Sequence, residues 1–279
     1  MKRFILFMAT ALLAGFTACS KGDDNLENEN RYTGKVNPNR VFTGKKPAAC
    51  DDFTAITYNA DGLVTKMAGT TNGTVNFSYG TNQNGEEEVL VKSENGLVSC
   101  TYLIGDNGFA KSCLEHRVIT EDLEEDTNWI LRYNDNGQIV YIERYGDDIY
   151  HIAYDITYDT YGDITKIYEK DLVHPSENRQ WTVSYTSTTV PSPIENKGCL
   201  MPLVKAFGVN FKGSDNMWLG YYAGLLGKAT RHLPMSYDGD HMWAVLQWPL
   251  DADGYPKALK REKDGHHNTW FTFEIKWLD

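Results

Sequence analysis

No Gly-x-Ser-x-Gly elbow, phosphate-binding loop or dinucleotide fingerprint occurs in the 279 residues, so serine-hydrolase, nucleotide-dependent and NAD-linked activities lack their local signatures. The 7 histidines are scattered. Only His266 and His267 are adjacent, a spacing that matches neither a helical ligand pair nor the paired Cys and His of zinc sites. The segments Asn134-Asp-Asn-Gly137 and Asp251-Ala-Asp-Gly254 lack the bidentate Glu that closes a calcium loop, and they read as hairpin turns. No metal and no cofactor is expected. Basic residues are scarce, 27 against 38 acidic, which argues against nucleic acid and anionic headgroups as partners. Beyond the first twenty residues no apolar run reaches the length of a membrane-spanning helix, about 18 residues.

What the sequence does have begins at its start. Lys2 and Arg3 precede an apolar run over residues 4–16, and small residues Thr17 and Ala18 stand before Cys19. This is the order of a secretory signal. The stretch Leu13-Ala14-Gly15-Phe16-Thr17-Ala18-Cys19 resembles a lipobox, with Phe16 where Leu is commonest. It implies lipidation at Cys19 and removal of residues 1–18. Ser20-Lys21-Gly22-Asp23-Asp24 resembles the surface-export signal of Bacteroides-type outer-membrane lipoproteins. Loss of Lys2 and Arg3 leaves 25 basic against 38 acidic residues, a formal charge of −13 for the mature chain. Residues 19–49 are expected to be a lipidated flexible tether, and residues 50–279 a single domain.

Four cysteines follow Cys19, an even number in an oxidising compartment. Residues 98–104 and 109–114 read as strands around Gly105-Asp106-Asn107-Gly108. If the two glycines close that turn, Cys100 falls opposite Cys113, close enough to bridge. Cys50 and Cys199 would then pair. The alternative is four buried thiols.

A hairpin pattern recurs five times: Tyr58-Asn-Ala-Asp-Gly62, Ile104-Gly-Asp-Asn-Gly108, Tyr133-Asn-Asp-Asn-Gly137, Tyr158-Asp-Thr-Tyr-Gly162 and Leu250-Asp-Ala-Asp-Gly254. Asn and Asp tolerate left-handed backbone and glycine adopts it freely, so each copy reverses the chain between strands. Between turns the sequence alternates with period two, as at Tyr150, Ile152, Tyr154, Ile156 and Tyr158. The expected fold is all-β, an antiparallel meander of ten or more strands curling into a closed or nearly closed barrel. Residues 216–228, apolar on nearly every side and preceded by Ser214 and Asp215 as caps, predict one buried helix.

The lipobox, the acidic tag, the Tyr-Asx-x-x-Gly hairpins, the segment Leu219-Gly-Tyr-Tyr-Ala-Gly-Leu-Leu-Gly-Lys-Ala-Thr-Arg-His-Leu-Pro234 and the aromatic last strand together resemble a Bacteroides-type lipoprotein family. Its domain is of unknown function and is described as porin-like in fold. The hairpins also resemble the YD repeats of large secreted toxins. The resemblance implies a fold, and no activity or site residues. In Asp163-Ile-Thr-Lys-Ile-Tyr-Glu-Lys170 neither strand face is free of charge, whereas a lipid-facing strand needs one apolar face throughout. The lipid on Cys19 is therefore expected to be the domain's hold on its membrane.

Aromatic residues make up 13% of the chain. Trp243, Trp248, Trp270 and Trp277 are candidates for stacking on sugar rings, and strand packing is the alternative. The run Glu121-Asp-Leu-Glu-Glu-Asp126 reads as a solvated loop, with weak cation binding as its alternative. Catalytic residues are not assignable. The leading expectation is a non-enzymatic outer-membrane lipoprotein that binds a glycan, a polypeptide or an envelope partner. A glycan hydrolase with two carboxylates in the barrel mouth and a structural envelope protein are the alternatives.

Overall fold

The structure, a computed structural model, describes residues 32–50, 53–146, 151–203, 216–239, 243–263 and 266–278. Cys19, Ser214 and Asp215 lie outside the described residues. Among the described residues alternating sequence becomes strand, and one meander carries nearly all of it; Tyr150 lies outside them. The strands are β1 (Lys46–Ala49), β2 (Ala55–Tyr58), β3 (Val64–Thr70), β4 (Gly73–Thr81), β5 (Glu87–Ser93), β6 (Val98–Ile104), β7 (Ala110–Thr120), β8 (Leu123–Tyr133), β9 (Ile139–Gly146), β10 (His151–Tyr158), β11 (Ile164–Asp171), β12 (Arg179–Ser184), β13 (Ser236–Gly239), β14 (Ala244–Gln247), β15 (Ala258–Lys263), β16 (His266–Glu274) and β17 (Lys276–Leu278). Strands β2 to β16 form one 15-stranded sheet in sequence order. Its ladder does not close on itself. Instead β1, which precedes the first strand of the sheet, pairs antiparallel with β17, which follows the last. A two-stranded ribbon thus joins the segments that flank the meander.

In a meander, alternate turns fall at alternate ends of the sheet, so the Asx-Gly turns all sit together. Asn59, Asn82, Asn134, Asp159 and Asp251 each accept, through Oδ1, hydrogen bonds from the backbone N–H two and four residues on. The glycine three residues on stands at φ between +77° and +88° and donates its N–H back to the Asx carbonyl. This is a type I turn followed by a glycine bulge. The turn at Asn82 was not among the five copies read from sequence, because Tyr79 precedes its Asx by three residues instead of one.

The bulge explains a register error. In four hairpins a second extra residue follows the glycine bulge, with the shift one pair in from the turn at Thr57/Tyr58, Leu103/Ile104, Arg132/Tyr133 and Thr157/Tyr158, whereas the Asn82 hairpin runs without it. Cys100 therefore faces Glu115, and Cys113 faces Tyr102. The expected direct opposition of Cys100 and Cys113 is off by two residues. All four described cysteines are free thiols, and Cys100 and Cys113 touch only diagonally, thiol to thiol.

The one buried helix expected near 216–228 is present but shorter than expected: a 3-10 turn at Asn216–Trp218 runs into a single α turn, α1 (Leu219–Tyr222). Gly224 and Gly227, at φ +74° and +79°, break it, and Gly224 lies so close to Pro38 that a Cβ would come within 2.8 Å of the Pro38 Cα. The tether is also shorter than expected. The compact unit runs Tyr32–Asp279, and residues 32–45 are a strap laid across the Asx-Gly end. The Lys35 N–H donates to both Glu87 oxygens at 2.8 and 2.9 Å. The Arg40 guanidinium donates to the Asn107 carbonyl at 2.8 Å and lies over the Phe109 ring. Lys45 pairs with Asp253 at 2.8 Å, and Val41 and Phe42 are buried.

Candidate functional site

One face of the sheet is core. Val75, Phe77, Val91, Tyr102, Trp129, Ile142, Tyr154, Ile167, Trp181 and Tyr237 all point to it, and the chain's own residues 200–203 and 217–235 fill the space they enclose. Backbone bonds fix this filling to the turns: Ala110 N–H to the Leu225 carbonyl and Lys228 N–H to the Gly137 carbonyl, both at 2.8 Å. The Tyr102 hydroxyl donates to the Met217 carbonyl at 2.7 Å and accepts the Gly220 N–H. A helical filling was read correctly as core, although its helix is shorter than expected.

Towards the end away from the Asx-Gly turns, the inward face turns polar. Glu115 on β7, Arg144 on β9, Glu169 and Asp171 on β11 and Arg179 on β12 stand there, above Trp129 and Trp181. Glu115 accepts hydrogen bonds from Asn216 Nδ2 at 2.7 Å and Trp129 Nε1 at 3.3 Å. Burial pushes its carboxyl above the usual carboxylate range, against the pull of those two donors and of Arg117 and Arg144. Arg144 sits over the Trp129 ring, 5.7 Å from its centre. Glu169 is opposite Arg179 in the ladder and ion-paired with it at 3.8 Å.

The members of a glycosidase dyad stand about 5 to 9.5 Å apart in an accessible pocket. Glu115 and Glu169 are on strands four apart in the sheet, roughly 19 Å at the usual strand spacing. Glu169 and Asp171 share a strand face about 7 Å apart. Glu169, however, is 1% exposed, and Asp171 Oδ1 is engaged by the N–H groups of Val173 and His174 at 3.1 and 2.7 Å. A second suggestive pair, His232 Nδ1 at 2.5 Å from Asp163 Oδ2, also holds the fold together. The His232 N–H donates to the other Asp163 oxygen at 2.8 Å, which pins residues 230–233 to the turn at Gly162. Among the described residues no serine, threonine or cysteine side chain bonds that imidazole, and none form a cluster able to hold a metal ion.

Two of the four candidate tryptophans are engaged in packing. Trp248 is buried and donates Nε1 to the Pro234 carbonyl at 2.6 Å. Trp277 is half-buried, donates to the Pro256 carbonyl at 2.6 Å, and packs against Gly198 and the Tyr255 ring. Trp243 is half-buried, and the Trp270 side chain lies outside the described residues. Both engaged indoles sit where the chain turns back on itself, so aromatic content here reflects packing. Cys50 and Cys199 are drawn to the same tyrosine pair: Cys50 Sγ lies 3.5 Å from the Tyr222 hydroxyl, and the Cys199 carbonyl accepts from Tyr221.

The other sheet face is polar across long stretches. Thr57, Lys66, Asn76, Lys92, Ser99, His116 and Asp126 make one continuous cross-strand row from β2 to β8. This combination, a long antiparallel meander with repeated Asx-Gly turns and a self-filled interior, has a known counterpart. The family model of a domain of unknown function (DUF4595) with porin-like fold matches residues 56–255. The chain belongs to this family. Among solved structures it resembles a porin-like protein from Bacteroides uniformis ATCC 8492, with TM-score 0.58 and 15% identity over 80% of this chain and 88% of that one. A porin-like protein from Bacteroides vulgatus ATCC 8482 gives TM-score 0.57 and 14% identity over 84% and 99%. These likenesses show the porin-like fold. No curated protein matches the chain in sequence.

Proposed function

We propose that this DUF4595 member is a lipid-anchored lipoprotein of the outer membrane that faces the cell exterior and recognises a macromolecular partner through its outer surface, without catalysis. The observation that carries this reading is the filled interior. Residues 200–203 and 217–235 occupy the space a small ligand would need, and the inward carboxylates are engaged by Asn216, Trp129, Arg179 and backbone N–H groups. Recognition is left to the exterior. The polar row from Thr57 to Asp126 supports an anchor other than the barrel, because a lipid-facing band must be apolar over about 25 Å. Lipid on Cys19 supplies that anchor, with a second signal such as membrane-protein contact adding to its hold.

Fractionation of cells carrying Cys19→Ser tests the reading. The variant is expected to leave the membrane fraction, while the unaltered chain stays in it and is cut by protease added to intact cells. Retention of Cys19→Ser through high-salt washes would mean that the barrel itself inserts. Protease resistance on intact cells that is lost on permeabilising them would place the domain in the periplasm.

A further inference from the structure

Strands β7 and β8 are each 11 residues long, against 7 for β6 and 8 for β9. Pairing to the neighbours ends at Val98↔Arg117 on one side and Thr127↔Gly146 on the other. Beyond it the hairpin pairs only with itself among the described residues, through Val118↔Glu124 and Thr120↔Leu123. It therefore stands proud of the sheet by about four residues, roughly 13 Å. Ile119 and Leu123 on this finger are 42% and 48% exposed, and Leu97, whose carbonyl accepts the Val118 N–H at 2.8 Å, is 46% exposed. Two large aliphatic side chains left in water on the finger and a third beside its base mark a contact surface.

The charge around them has one sign. Glu121, Asp122, Glu124 and Glu125 form no ion pair among the described residues, whereas Glu94 is already paired to Lys66 and Asp126 to His116. Arg117, opposite Glu125 at the base of the finger, is the one Lys or Arg in residues 112–131. The strap at residues 32–45 lies on the opposite, Asx-Gly end, so it leaves the finger uncovered. We infer that Leu97, Ile119, Leu123 and the surrounding carboxylates form a docking surface for a Lys- or Arg-rich polypeptide segment that also carries aliphatic side chains. Aliphatic contact supplies affinity, and charge complementarity supplies encounter and selectivity.

The inference rests on the proposed exterior recognition and names its partner class. The test uses the full chain in neutral detergent and three labelled peptides: alternating Lys and Leu, alternating Lys and Ser, and alternating Glu and Leu. The Lys/Leu peptide is expected to bind more tightly than either of the others, and more weakly as salt is raised. Leu97→Ser with Leu123→Ser, and separately Glu121→Lys with Glu124→Lys, should each weaken it at least about tenfold while leaving the melting temperature unchanged. Equal binding of the Lys/Leu and Lys/Ser peptides would overturn the inference, as would indifference to either double variant or absence of binding. Failure here with Cys19→Ser still released from membranes would remove the docking surface alone. Retention of Cys19→Ser would remove the anchoring reading whatever the peptides do.

Discussion

The hydroxyl of Tyr158 donates to the carbonyl of Ile139 at 2.9 Å. Ile139 lies two residues past Gly137, so the tyrosine that opens one Asx-Gly turn is tied to the strand leaving the turn before it. Tyr133 makes the same bond to Ala110 at 2.8 Å, two residues past Gly108, and Tyr79 to Val64 at 2.9 Å, two past Gly62. Burial pushes the phenols of Tyr133 and Tyr158 well above the usual tyrosine range. Tyr158→Phe and Tyr133→Phe should each cost about 1 to 2 kcal/mol, because each strands a buried carbonyl. Urea denaturation measures this, and a loss within error would show that the ladder of tyrosines does not hold the turns.

The glycines of the turns differ in what surrounds them. Gly85, at φ +78°, has open space where a Cβ would be, whereas a Cβ on Gly137, at φ +77°, would come within 2.8 Å of the Phe109 ring. Gly85→Ala should therefore show the backbone penalty alone, about 1 to 2 kcal/mol. Gly137→Ala should exceed it by at least about 1 kcal/mol through displaced Phe109 packing. Equal losses would mean that the ring moves aside freely.

The repeat made the meander legible from sequence, since an Asx residue followed three places on by glycine fixes both the turn and its hand. Register was less legible. The bulge beside each turn adds a residue that composition does not reveal, and Cys100 met Glu115 as a result. The interior charges were hidden for a different reason: Glu115 and Glu169 sit at inward positions of otherwise amphipathic strands, and only their partners Asn216 and Arg179, distant in sequence or opposed across strands, make burial tolerable. Residues 32–45 looked like a leash because Asn, Lys and Gly dominate them. Their binding is carried by backbone N–H groups, long cationic side chains and three irregularly spaced apolar residues, Val36, Val41 and Phe42, which leave no periodic hydrophobic pattern.

The strap yields a prediction about boundaries. A chain beginning at Tyr32 should fold, while one beginning at Phe53 loses β1, the contact of Phe42 with the Tyr221 ring and the buried Val41. Three buried apolar side chains, Val36, Val41 and Phe42, represent several kcal/mol at about 1.5 to 3 kcal/mol each, a large share of the stability of an ordinary domain. Loss of cooperative melting on removing residues 32–52 is the expected result. A sharp transition at unchanged temperature would show the strap to be dispensable.

The thiols can be counted. Cys100 and Cys113 are 1% and 2% exposed, and burial pushes the Cys199 thiol up to about 11, so only about 0.1% of it is thiolate at pH 8. A disulfide reagent at pH 8 should leave Cys100 and Cys113 untouched in the native chain and modify Cys199 slowly. In denaturant without reductant, Cys50, Cys100, Cys113 and Cys199 should all react. Two missing thiols there would show that a pair bridges despite its diagonal register, and peptide mapping would name it.

Glu115 sets a pH dependence of stability whose sign follows from burial. Its carboxyl is raised in the folded chain, chiefly by desolvation, so between the ordinary carboxyl range and its folded value the native state holds the proton more tightly than the unfolded state. Linkage then makes this group favour the fold in acid, with that contribution lost as pH rises through the folded value. Glu115→Gln removes the titration. It also turns an amide group toward Trp129 Nε1, which now donates to Oε2 at 3.3 Å, and that offset is constant with pH. The stability of the variant relative to the parent chain should therefore climb between pH 5 and pH 7.5, whichever is the more stable at pH 5. Urea midpoints at the two pH values measure the climb, and a flat or falling difference would mean that Asn216, Arg117 and Arg144 together outweigh burial at this carboxylate.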